Sequence, residues 1–392
     1  MREAVILSAV RTPIGRAKSG LLRELRAEDL GAAALKEAVR RIPGWASDVP
    51  DDCLIGCAEP DGGSARHFAR ACSLLAGFPV SVPAMTVNRS CASGLQAVAL
   101  AASAVASGAA GTVLAGGAES MSRWPGTRTV PSPNPELLDR MASAYMAAGH
   151  AAELLARRRG ISREAQDRYA ADSFRKAREA AAAGKLRRQI APLGACRTVT
   201  DEEGYPHVEW ISVEEDECLA QAPEPDQLGS LPPAFAAGGT VTDGNSAPPT
   251  DGAAALIVAT RELAERLEVR PLAALRGYAV TGSAPETAGL AAAEAVPKAL
   301  EQAGLASGQI AQWEIHEGFA VEALLVIDRL EIDPGLVNVN GGAIAFGHPA
   351  GCSGARMLVS LIHELSARGG GFGVAAMGAW GGMGAAAVLE VF

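Results

Sequence analysis

One cysteine and two distant histidines in this 392-residue chain have the types and surroundings needed for acyl transfer. Cys91 stands in the segment Val-Asn-Arg-Ser-Cys-Ala-Ser-Gly-Leu, and the alanine-rich stretch that follows at once predicts a helix with Cys91 in its first turn. The unpaired N–H groups and the positive dipole at a helix start favour the thiolate, which is the nucleophilic form of cysteine. His316 and His348 follow far downstream in two motifs, Ile-His-Glu-Gly-Phe-Ala and Phe-Gly-His-Pro-Ala-Gly. A nucleophilic cysteine with remote histidine partners is the general plan of a covalent acyl-transfer enzyme.

Alternating strand and helix patterns must position these side chains. Strands are predicted at residues 4–10, 53–58, 111–116 and 251–260, an extended approach to Cys91 at 79–87, and a short lead into the His316 motif at 313–315. Helices are predicted at residues 26–42, 64–76, 162–183 and 285–304, besides the one that follows Cys91. This alternation predicts an α/β fold with mainly parallel sheets buried between helices.

The chain also contains an internal repeat. A small-residue turn at Cys91, a helix and the strand Gly-Thr-Val-Leu-Ala-Gly-Gly have a counterpart downstream. The counterpart is a turn at Gly351, a helix and the strand Gly-Val-Ala-Ala-Met-Gly-Ala. Residues 120–240 between them differ, since they are rich in proline and polar side chains. The pattern therefore predicts two related α/β halves with a large insertion in the first.

Composition excludes several classes of function. A net charge of −9 and a pI near 5.3 argue against a nucleic-acid partner. Seven cysteines without a CxxC pair, and no secretory signal, predict a reduced, cytoplasmic setting. The apolar stretch 95–118 contains glycines and predicts a buried helix followed by a strand, so no membrane span is expected. The six histidines lack metal-ligand spacing and the glycine pairs lack a dinucleotide-binding pattern, so neither kind of site is predicted.

Seven motifs, in order along the whole chain, resemble those of the thiolase family. They begin at Val10, Asn88, Gly116, Gly160, Gly239, His316 and Gly347. The resemblance implies a thiolase fold, a five-layer αβαβα arrangement of two related halves plus an inserted loop domain. By this alignment residues 1–119 and 240–267 form the N-terminal half, 120–239 the loop domain and 268–392 the C-terminal half. The resemblance also implies a homodimer or tetramer.

The family's site residues transfer to matching positions of this chain. By resemblance, Cys91 accepts the acyl group, and His348 takes its proton and then helps to bind a thioester oxygen. His316 would help hold a water or a substrate oxygen, while Glu317 would orient its neighbours. The His-Glu pair resembles the β-subunit branch of fatty-acid oxidation complexes, which makes a partner subunit possible. An acyl thioester of coenzyme A, or another acyl thioester, is the expected substrate, with no further cofactor.

The same resemblance implies an oxyanion hole and an acyl-binding surface. Backbone N–H groups of Cys91 and of Trp380 or Gly381 would stabilise the charge that develops on a thioester oxygen. The positions expected to contact substrate are Met121, Phe235, Ser246, Ala247 and Phe319.

One family feature is missing near the C-terminus. Thiolases carry a second cysteine there, and the alignment on Gly381-Gly382-Met383-Gly384 places Gly378 at that position. Loss of a positioned acid and base typically costs about 10²–10⁴-fold in rate. Ordinary thiolysis is therefore in doubt, whereas acylation of Cys91 is not. The leading prediction is a thiolase-like acyltransferase that performs Claisen-type condensation or transfers its acyl group in biosynthesis.

Two alternatives stay open at this point. The first is an ordinary 3-ketoacyl-CoA thiolase of fatty-acid β-oxidation, which requires that Gly378 be tolerated. The second is a non-catalytic thiolase-like protein that binds acyl thioesters. The presence of both Cys91 and His348 counts against the second alternative.

The insertion is unusually acidic. Between Arg197 and Arg261 there is no lysine or arginine, and there are twelve acids. Because an acidic rim serves phosphates poorly, coenzyme A would bind weakly or through the arginine-rich segment from Arg157 to Arg188. The alternative is that these acids lie on a solvated face away from the site.

Overall fold

The computed structural model describes residues 2–45, 49–60, 67–124, 133–201 and 203–392, with twelve strands and twelve α-helices in those ranges. The strands are β1 (Ala4–Arg11), β2 (Gly15–Arg16), β3 (Asp52–Gly56), β4 (Met85–Val87), β5 (Thr112–Ser120), β6 (Leu193–Thr200), β7 (Pro206–Val213), β8 (Thr250–Thr260), β9 (Ala273–Gly282), β10 (Ile310–Ile315), β11 (Gly371–Ala379) and β12 (Met383–Val391). The helices are α1 (Ala27–Arg40), α2 (Phe68–Leu75), α3 (Ser93–Ser107), α4 (Pro135–Arg140), α5 (Ala148–Arg159), α6 (Arg163–Ala182), α7 (Pro225–Leu228), α8 (Arg261–Arg266), α9 (Ala291–Ala303), α10 (Ala320–Arg329), α11 (Ala343–Phe346) and α12 (Ala350–Ala367). The first residues predicted for the second helix, 64–66, lie outside the described residues.

Local sequence signals account for several helix ends. Ser162 caps α6 by accepting a hydrogen bond from the Ala165 N–H at 3.2 Å, and Thr260 caps α8 by accepting from the Leu263 N–H. Helices α3, α5 and α9 each end at a glycine with left-handed backbone angles, the conformation that a C-terminal cap most often needs.

Ten of the twelve strands form one hydrogen-bonded mixed sheet, in which β2 also pairs with β8, and β6 and β7 form a separate two-stranded sheet. The large sheet divides into two smaller sheets joined edge to edge. The first has the order β1-β8-β5-β3-β4, the second the order β10-β11-β12-β9, and one residue pair, Ile6 with Ala273, links β1 to β9. Parallel pairing is limited to β3 with β4, β3 with β5, and β10 with β11, while the remaining pairs are antiparallel. The prediction of mainly parallel sheets is therefore wrong, because β8 and β12 run antiparallel to both of their neighbours.

The layers follow from strands that are buried on both faces. Along β8, Leu256 and Val258 face one core and Ile257 and Ala259 face another, as the two-residue period of a strand requires. Helices α3 and α12 lie between the sheets, α1 and α2 cover the outer face of the first, and α9 and α10 cover the outer face of the second. The order is αβαβα, as predicted.

The predicted internal repeat is present. Helix α3 leads into β5 and helix α12 leads into β11, and each of these strands pairs with an antiparallel neighbour, β8 or β12. The two helices also contact each other in the central layer, within one hydrophobic cluster. The starts of α3 and α12 therefore meet in the middle of the molecule.

Residues 90–107 are apolar and long enough to cross a membrane by composition alone. In the structure they form α3 and the turn before it, and Val98 and Val105 of this helix are fully buried in the central core. The stretch is a core helix, as the sequence predicts.

Candidate active site

Cys91 lies on a sharp bend between β4 and α3. Ser90 just before it has a left-handed backbone, with φ of 51°, which is uncommon for a non-glycine residue. The Asn88 side chain supports the bend by accepting the Ser90 N–H at 2.8 Å, and the Ser93 hydroxyl accepts the Arg89 N–H at 2.9 Å. Helix α3 begins only at Ser93, so Cys91 precedes the helix instead of lying in its first turn as predicted.

His348 reaches Cys91 because two glycines permit close packing. Gly347 has φ of 97°, and a Cβ there would lie 2.2 Å from Cγ2 of Thr250. A Cβ on Gly117 of β5 would lie only 2.0 Å from the Gly351 carbonyl oxygen at the start of α12. Glycine at these positions lets the second half of the chain come against the first, with Cys91 and His348 at the contact.

The two side chains form a hydrogen-bonded pair. The His348 Nε2 lies 3.3 Å from the Cys91 Sγ, and its Nδ1 lies 2.6 Å from the Ser353 hydroxyl oxygen. That hydroxyl donates its single proton to the Pro349 carbonyl at 3.2 Å, so it accepts a hydrogen bond from Nδ1–H. This assignment leaves the Nε2 lone pair facing the sulfur, which is the tautomer a base needs.

Burial keeps both groups neutral in the resting site. It raises the pKa of the Cys91 thiol to about 11, against the opposing effects of the Ser90 hydroxyl and the Trp380 N–H. Burial and, to a smaller extent, the Arg356 charge lower the pKa of His348 to about 4. The expected resting thiolate is therefore not what this environment favours, since desolvation outweighs the donors around the sulfur.

His316 and Glu317 face in different directions. The ring centroids of His316 and His348 lie 4.4 Å apart, so the two imidazoles are in contact beside Cys91. Glu317 points away and accepts hydrogen bonds from the Ser173 hydroxyl at 2.8 Å and the Asn338 amide at 2.6 Å. Glu317 therefore holds neighbouring side chains through its carboxylate, and its predicted orienting role in the reaction stays a prediction.

The β11–β12 turn brings backbone donors to the sulfur. The Trp380 N–H hydrogen-bonds toward Cys91 and lowers its pKa, although less than burial raises it. Gly381 follows in the turn with φ of 85°. The Trp380 indole spans to the insertion and donates from Nε1 to the Met146 carbonyl at 3.1 Å. The Trp380 N–H, one of the predicted oxyanion donors, therefore lies beside the Cys91 sulfur, and its action on a thioester oxygen stays a prediction.

A cavity of about 750 Å³ opens above the pair. Its walls come from both halves and from the insertion, and apolar side chains predominate in them. Of the residues predicted to contact substrate, Met121, Ala247 and Phe319 line it. Gly378 and Trp380 line it as well.

Two of the residues predicted to contact substrate, Ser246 and Phe235, do not line this cavity. The Ser246 hydroxyl donates to the Thr242 carbonyl at 2.7 Å, so it supports its own loop and does not face the cavity. Phe235 packs edge to face against Phe319 with ring centroids 5.7 Å apart, and it backs the cavity wall without lining it.

The structure adds residues that the motifs did not indicate. Ser353 orients His348, and Glu322 places a carboxyl group in the cavity wall. Glu119 joins the two halves by accepting from the Ala58 and Gly351 N–H groups, each at 2.8 Å. The only available signal for Glu322 was an acid within an apolar helix, which is weak by itself.

Most of the acidic stretch is engaged elsewhere. Asp216 pairs with Arg11 at 2.7 Å, Glu209 with Arg197 at 2.9 Å and Glu224 with Arg178 at 3.0 Å. Among the described residues none of the twelve acids lines the cavity, and Glu202 lies outside those residues. The acids that the structure describes thus lie outside the cavity wall, and their effect on the phosphates of coenzyme A stays a prediction. In the described ranges, no cluster of His, Cys, Asp and Glu is arranged to hold a metal ion.

A five-layer αβαβα fold with a thiol–imidazole pair below an apolar cavity defines a cysteine-dependent acyltransferase. Residues 4–262 match the model of the thiolase N-terminal domain and residues 269–391 that of the thiolase C-terminal domain. The chain belongs to the thiolase family.

Relatives cover the whole length of the chain. It is 45% identical over 391 residues to a 3-ketoacyl-CoA thiolase of Bacillus subtilis, with 100% of each chain covered. It is 40% identical over 400 residues to an acetyl-CoA acetyltransferase of Chromobacterium violaceum, with 99% of each covered. The crystal structure of human mitochondrial 3-ketoacyl-CoA thiolase superposes with a TM-score of 0.89 at 33% identity, covering 100% of this chain and 99% of that one.

Proposed function

We propose that the protein is a 3-ketoacyl-CoA thiolase that cleaves its substrate with the thiol of coenzyme A. The observation that carries this proposal is the 3.3 Å contact of Cys91 Sγ with His348 Nε2 at the base of the cavity. The names of full-length relatives support it, among them the Bacillus subtilis protein. A human relative whose crystal structure contains CoA has a TM-score of 0.88 over 100% of this chain, which supports a CoA thioester as substrate.

The pair supplies the first half of the reaction. His348 Nε2 takes the thiol proton as the Cys91 sulfur attacks the 3-keto carbon of the substrate. Because the free thiol is hard to ionise, proton transfer accompanies formation of the C–S bond. The bond between C2 and C3 then breaks, which leaves an acyl group on Cys91 and a carbanion at C2 that must receive a proton. The carbonyl charge would be stabilised by the N–H groups of Cys91 and Trp380.

The second half returns the site to its starting state. The thiol of coenzyme A attacks the acyl group on Cys91 and the C–S bond to the enzyme breaks. The departing Cys91 sulfur recovers its proton from the His348 imidazolium. The thiol of coenzyme A must itself lose a proton to a base in the cavity.

The thiolase interpretation is better supported than biosynthetic condensation, which the missing second cysteine favoured. Relatives that cover the whole chain bear the names 3-ketoacyl-CoA thiolase and acetyl-CoA acetyltransferase. The non-catalytic alternative receives no support from the site, since the sulfur and the imidazole are in hydrogen-bonding contact. The homodimer, the partner subunit and the cytoplasmic setting stay predictions.

Intact-protein mass spectrometry, together with a thiolysis assay, tests the proposal. The protein is mixed briefly with acetoacetyl-CoA or a longer 3-ketoacyl-CoA, and its mass is read before and after free coenzyme A is added. We expect one acyl group on the wild type, its removal by coenzyme A, and neither event in Cys91→Ala. Cys196→Ala is the matched control, because Cys196 lies on the β6–β7 hairpin away from the cavity.

Each outcome decides between the interpretations. An adduct that forms and persists in the presence of coenzyme A would refute thiolysis and restore transfer to another acceptor. No adduct, and no cleavage of any 3-ketoacyl-CoA, would refute acyltransfer and favour the binding protein.

A further inference from the structure

Cleavage of a 3-ketoacyl thioester needs a proton donor and acceptor besides His348. The carbanion at C2 must gain a proton, and the thiol of coenzyme A must lose one, while His348 holds the proton of Cys91. This requirement rests on the proposed function. The donor must lie in the cavity wall and must exchange its proton near neutral pH.

Among the described cavity-lining residues, five have titratable side chains. They are Glu59, Cys91, His316, Glu322 and His348. Glu59 is exposed at the rim, and Cys91 and His348 are occupied with each other. The choice therefore falls between His316 and Glu322.

Glu322 points its carboxyl group at the space beside His316. A Cβ built on Gly318 would lie 3.0 Å from Glu322 Oε2 and 3.6 Å from His316 Nε2, so the two atoms flank one point in the wall. Glu322 lies in the first turn of α10, just after the motif that contains His316. The local sequence therefore brings this carboxyl group to the same side of the cavity as the two imidazoles.

Close backbone packing excludes a side chain at position 378 but leaves room for the side chain of Glu322. A Cβ on Gly378 would lie 2.7 Å from the Ala288 carbonyl oxygen and 3.1 Å from the Gly289 Cα, so no side chain fits there. Glu322 lies on the other side of Gly289. A Cβ built on Gly289 would be 2.4 Å from the Glu322 Cδ, so only glycine leaves room for this side chain. The 3₁₀ helix Pro285–Leu290 thus closes the position of Gly378 and holds the Glu322 side chain against its opposite face.

The surroundings of Glu322 suit proton exchange. No described residue pairs with its carboxyl group, and burial raises its pKa to about 7. His316 is less suited, because burial and the neighbouring His348 lower its pKa well below the ordinary range. A carboxyl group poised near neutral pH is populated in both protonation states.

We propose that Glu322 is the acid and base at the substrate α-carbon and at the incoming thiol. Its protonated carboxyl group gives a proton to C2 as the bond between C2 and C3 breaks, which releases acetyl-CoA and leaves a carboxylate. That carboxylate takes the proton of the coenzyme A thiol as the thiol attacks the acyl group on Cys91. Glu322 ends each turnover protonated, as it began.

Deuterium exchange into acetyl-CoA isolates this step from thiolysis. The wild type, Glu322→Gln and Asp328→Asn are each incubated with acetyl-CoA in D₂O, and deuterium in the acetyl methyl group is followed by mass spectrometry. Asp328 is an exposed acid on the same helix, so its variant controls for loss of one negative charge. Alkylation of Cys91 by iodoacetamide is measured on parallel samples. This reaction needs the Cys91 thiol and the His348 base but no proton from Glu322, so it shows that each variant is folded and has a working thiol–imidazole pair.

We expect Glu322→Gln to lose exchange by about 10²–10⁴-fold and thiolysis with it, while iodoacetamide still alkylates Cys91 at the wild-type rate. Exchange at the wild-type rate in Glu322→Gln, or no exchange by the wild type, would overturn the proposal. If the wild type exchanges through Glu322 but cleaves no 3-ketoacyl-CoA, the proposed function fails and the role of Glu322 stands. If Glu322→Gln exchanges and cleaves normally, the role of Glu322 fails and the proposed function stands.

Discussion

At the scale of single residues, the environment of the site keeps the Cys91 thiol protonated and the His348 imidazole neutral in the absence of substrate. Burial raises the pKa of Cys91 to about 11 and lowers that of His348 to about 4, so the resting pair is uncharged. A neutral thiol resists oxidation and nonspecific alkylation better than a thiolate does. On the proposed function, ionisation becomes favourable when the substrate supplies an electrophilic carbon and the Trp380 N–H stabilises the developing oxyanion.

The Ser353 hydroxyl makes this arrangement possible, and its removal gives a direct test. In Ser353→Ala the His348 Nδ1 loses its acceptor at 2.6 Å, so neither the ring orientation nor the tautomer is held. We expect acylation of Cys91 to slow by about tenfold or more, within the range that a positioned base contributes. Stopped-flow mixing with acetoacetyl-CoA, read by mass spectrometry, measures this rate.

Ser366→Ala is the control, because Ser366 is an exposed serine near the end of the same helix. Acylation of Ser353→Ala at the wild-type rate would show that the ring is held without this hydroxyl. The assignment of Nδ1 as the protonated nitrogen would then be wrong.

Motifs could indicate Cys91 and His348, because small residues surround them at distinctive spacing, and His316 because of the motif Ile-His-Glu-Gly-Phe-Ala. They could not indicate Glu322, since its role depends on how Gly289 and Gly318 leave room for its side chain. Nor could they show that Ser246 turns back to its own loop. Side-chain direction depends on contacts distant in sequence, which a linear pattern does not contain.

At the scale of elements, the 3₁₀ helix Pro285–Leu290 and strand β11 decide the shape of the cavity. Their backbones touch at Gly378, where a Cβ would lie 2.7 Å from the Ala288 carbonyl oxygen. The glycine at the position of the missing second cysteine thus permits a close backbone contact that a cysteine side chain would prevent. Trp380 then extends the same strand end toward the insertion through its bond to Met146.

Gly378→Ala measures how tight this contact is. The added methyl group must displace backbone atoms, so we expect the free energy of unfolding to fall by about 1–3 kcal/mol. Urea denaturation followed by circular dichroism gives this value. Thiolysis should fall too, since the displaced segment also supports Glu322 through Gly289.

Gly282→Ala is a matched control at the end of β9, because a Cβ there meets nothing within 4 Å. Both changes reduce the freedom of the unfolded chain equally, so their difference reports the contact at Gly378. Equal stability of the two variants would show that residues 285–290 yield readily and that the cavity can accept a side chain at position 378.

The sequence predicted the repeated unit of helix and strand because each copy carries the same small-residue turn and apolar pattern. It did not predict strand direction, because β8 and β12 pair antiparallel with neighbours on both sides. An apolar run indicates that a strand is buried but not the direction in which it runs.

At the scale of the whole molecule, the insertion is tied to the core by a buried ion pair. Arg11 ends β1, and its guanidinium makes two bonds of 2.7 Å to the Asp216 carboxylate of the insertion. The same carboxylate accepts the Ile14 N–H at 2.9 Å, and Arg11 also donates to Gln189 at 3.1 Å. Both side chains of the pair are almost completely buried.

Such a pair matters more when it is broken than when it is formed, because either partner left alone is a buried charge without compensation. We expect Arg11→Met and Asp216→Asn each to lower the free energy of unfolding by about 3–5 kcal/mol, as measured by urea denaturation. Arg187→Met is the control, since Arg187 and Glu215 are exposed and lie 3.8 Å apart. Their contact should change the stability by less than about 0.5 kcal/mol.

The double variant tests whether the effects of the two single changes on stability come from loss of the Arg11–Asp216 pair. If the pair joins the insertion to the core, combining Arg11→Met with Asp216→Asn should cost much less than the sum of the single changes, because the second removes the charge that the first leaves unpaired. The insertion also supplies Met121 and Met146 to the cavity, so weakening of this connection should lower thiolysis along with stability. Additive losses in stability, or a fully active Arg11→Met protein that unfolds as the wild type does, would show that the insertion is held by its apolar contacts alone.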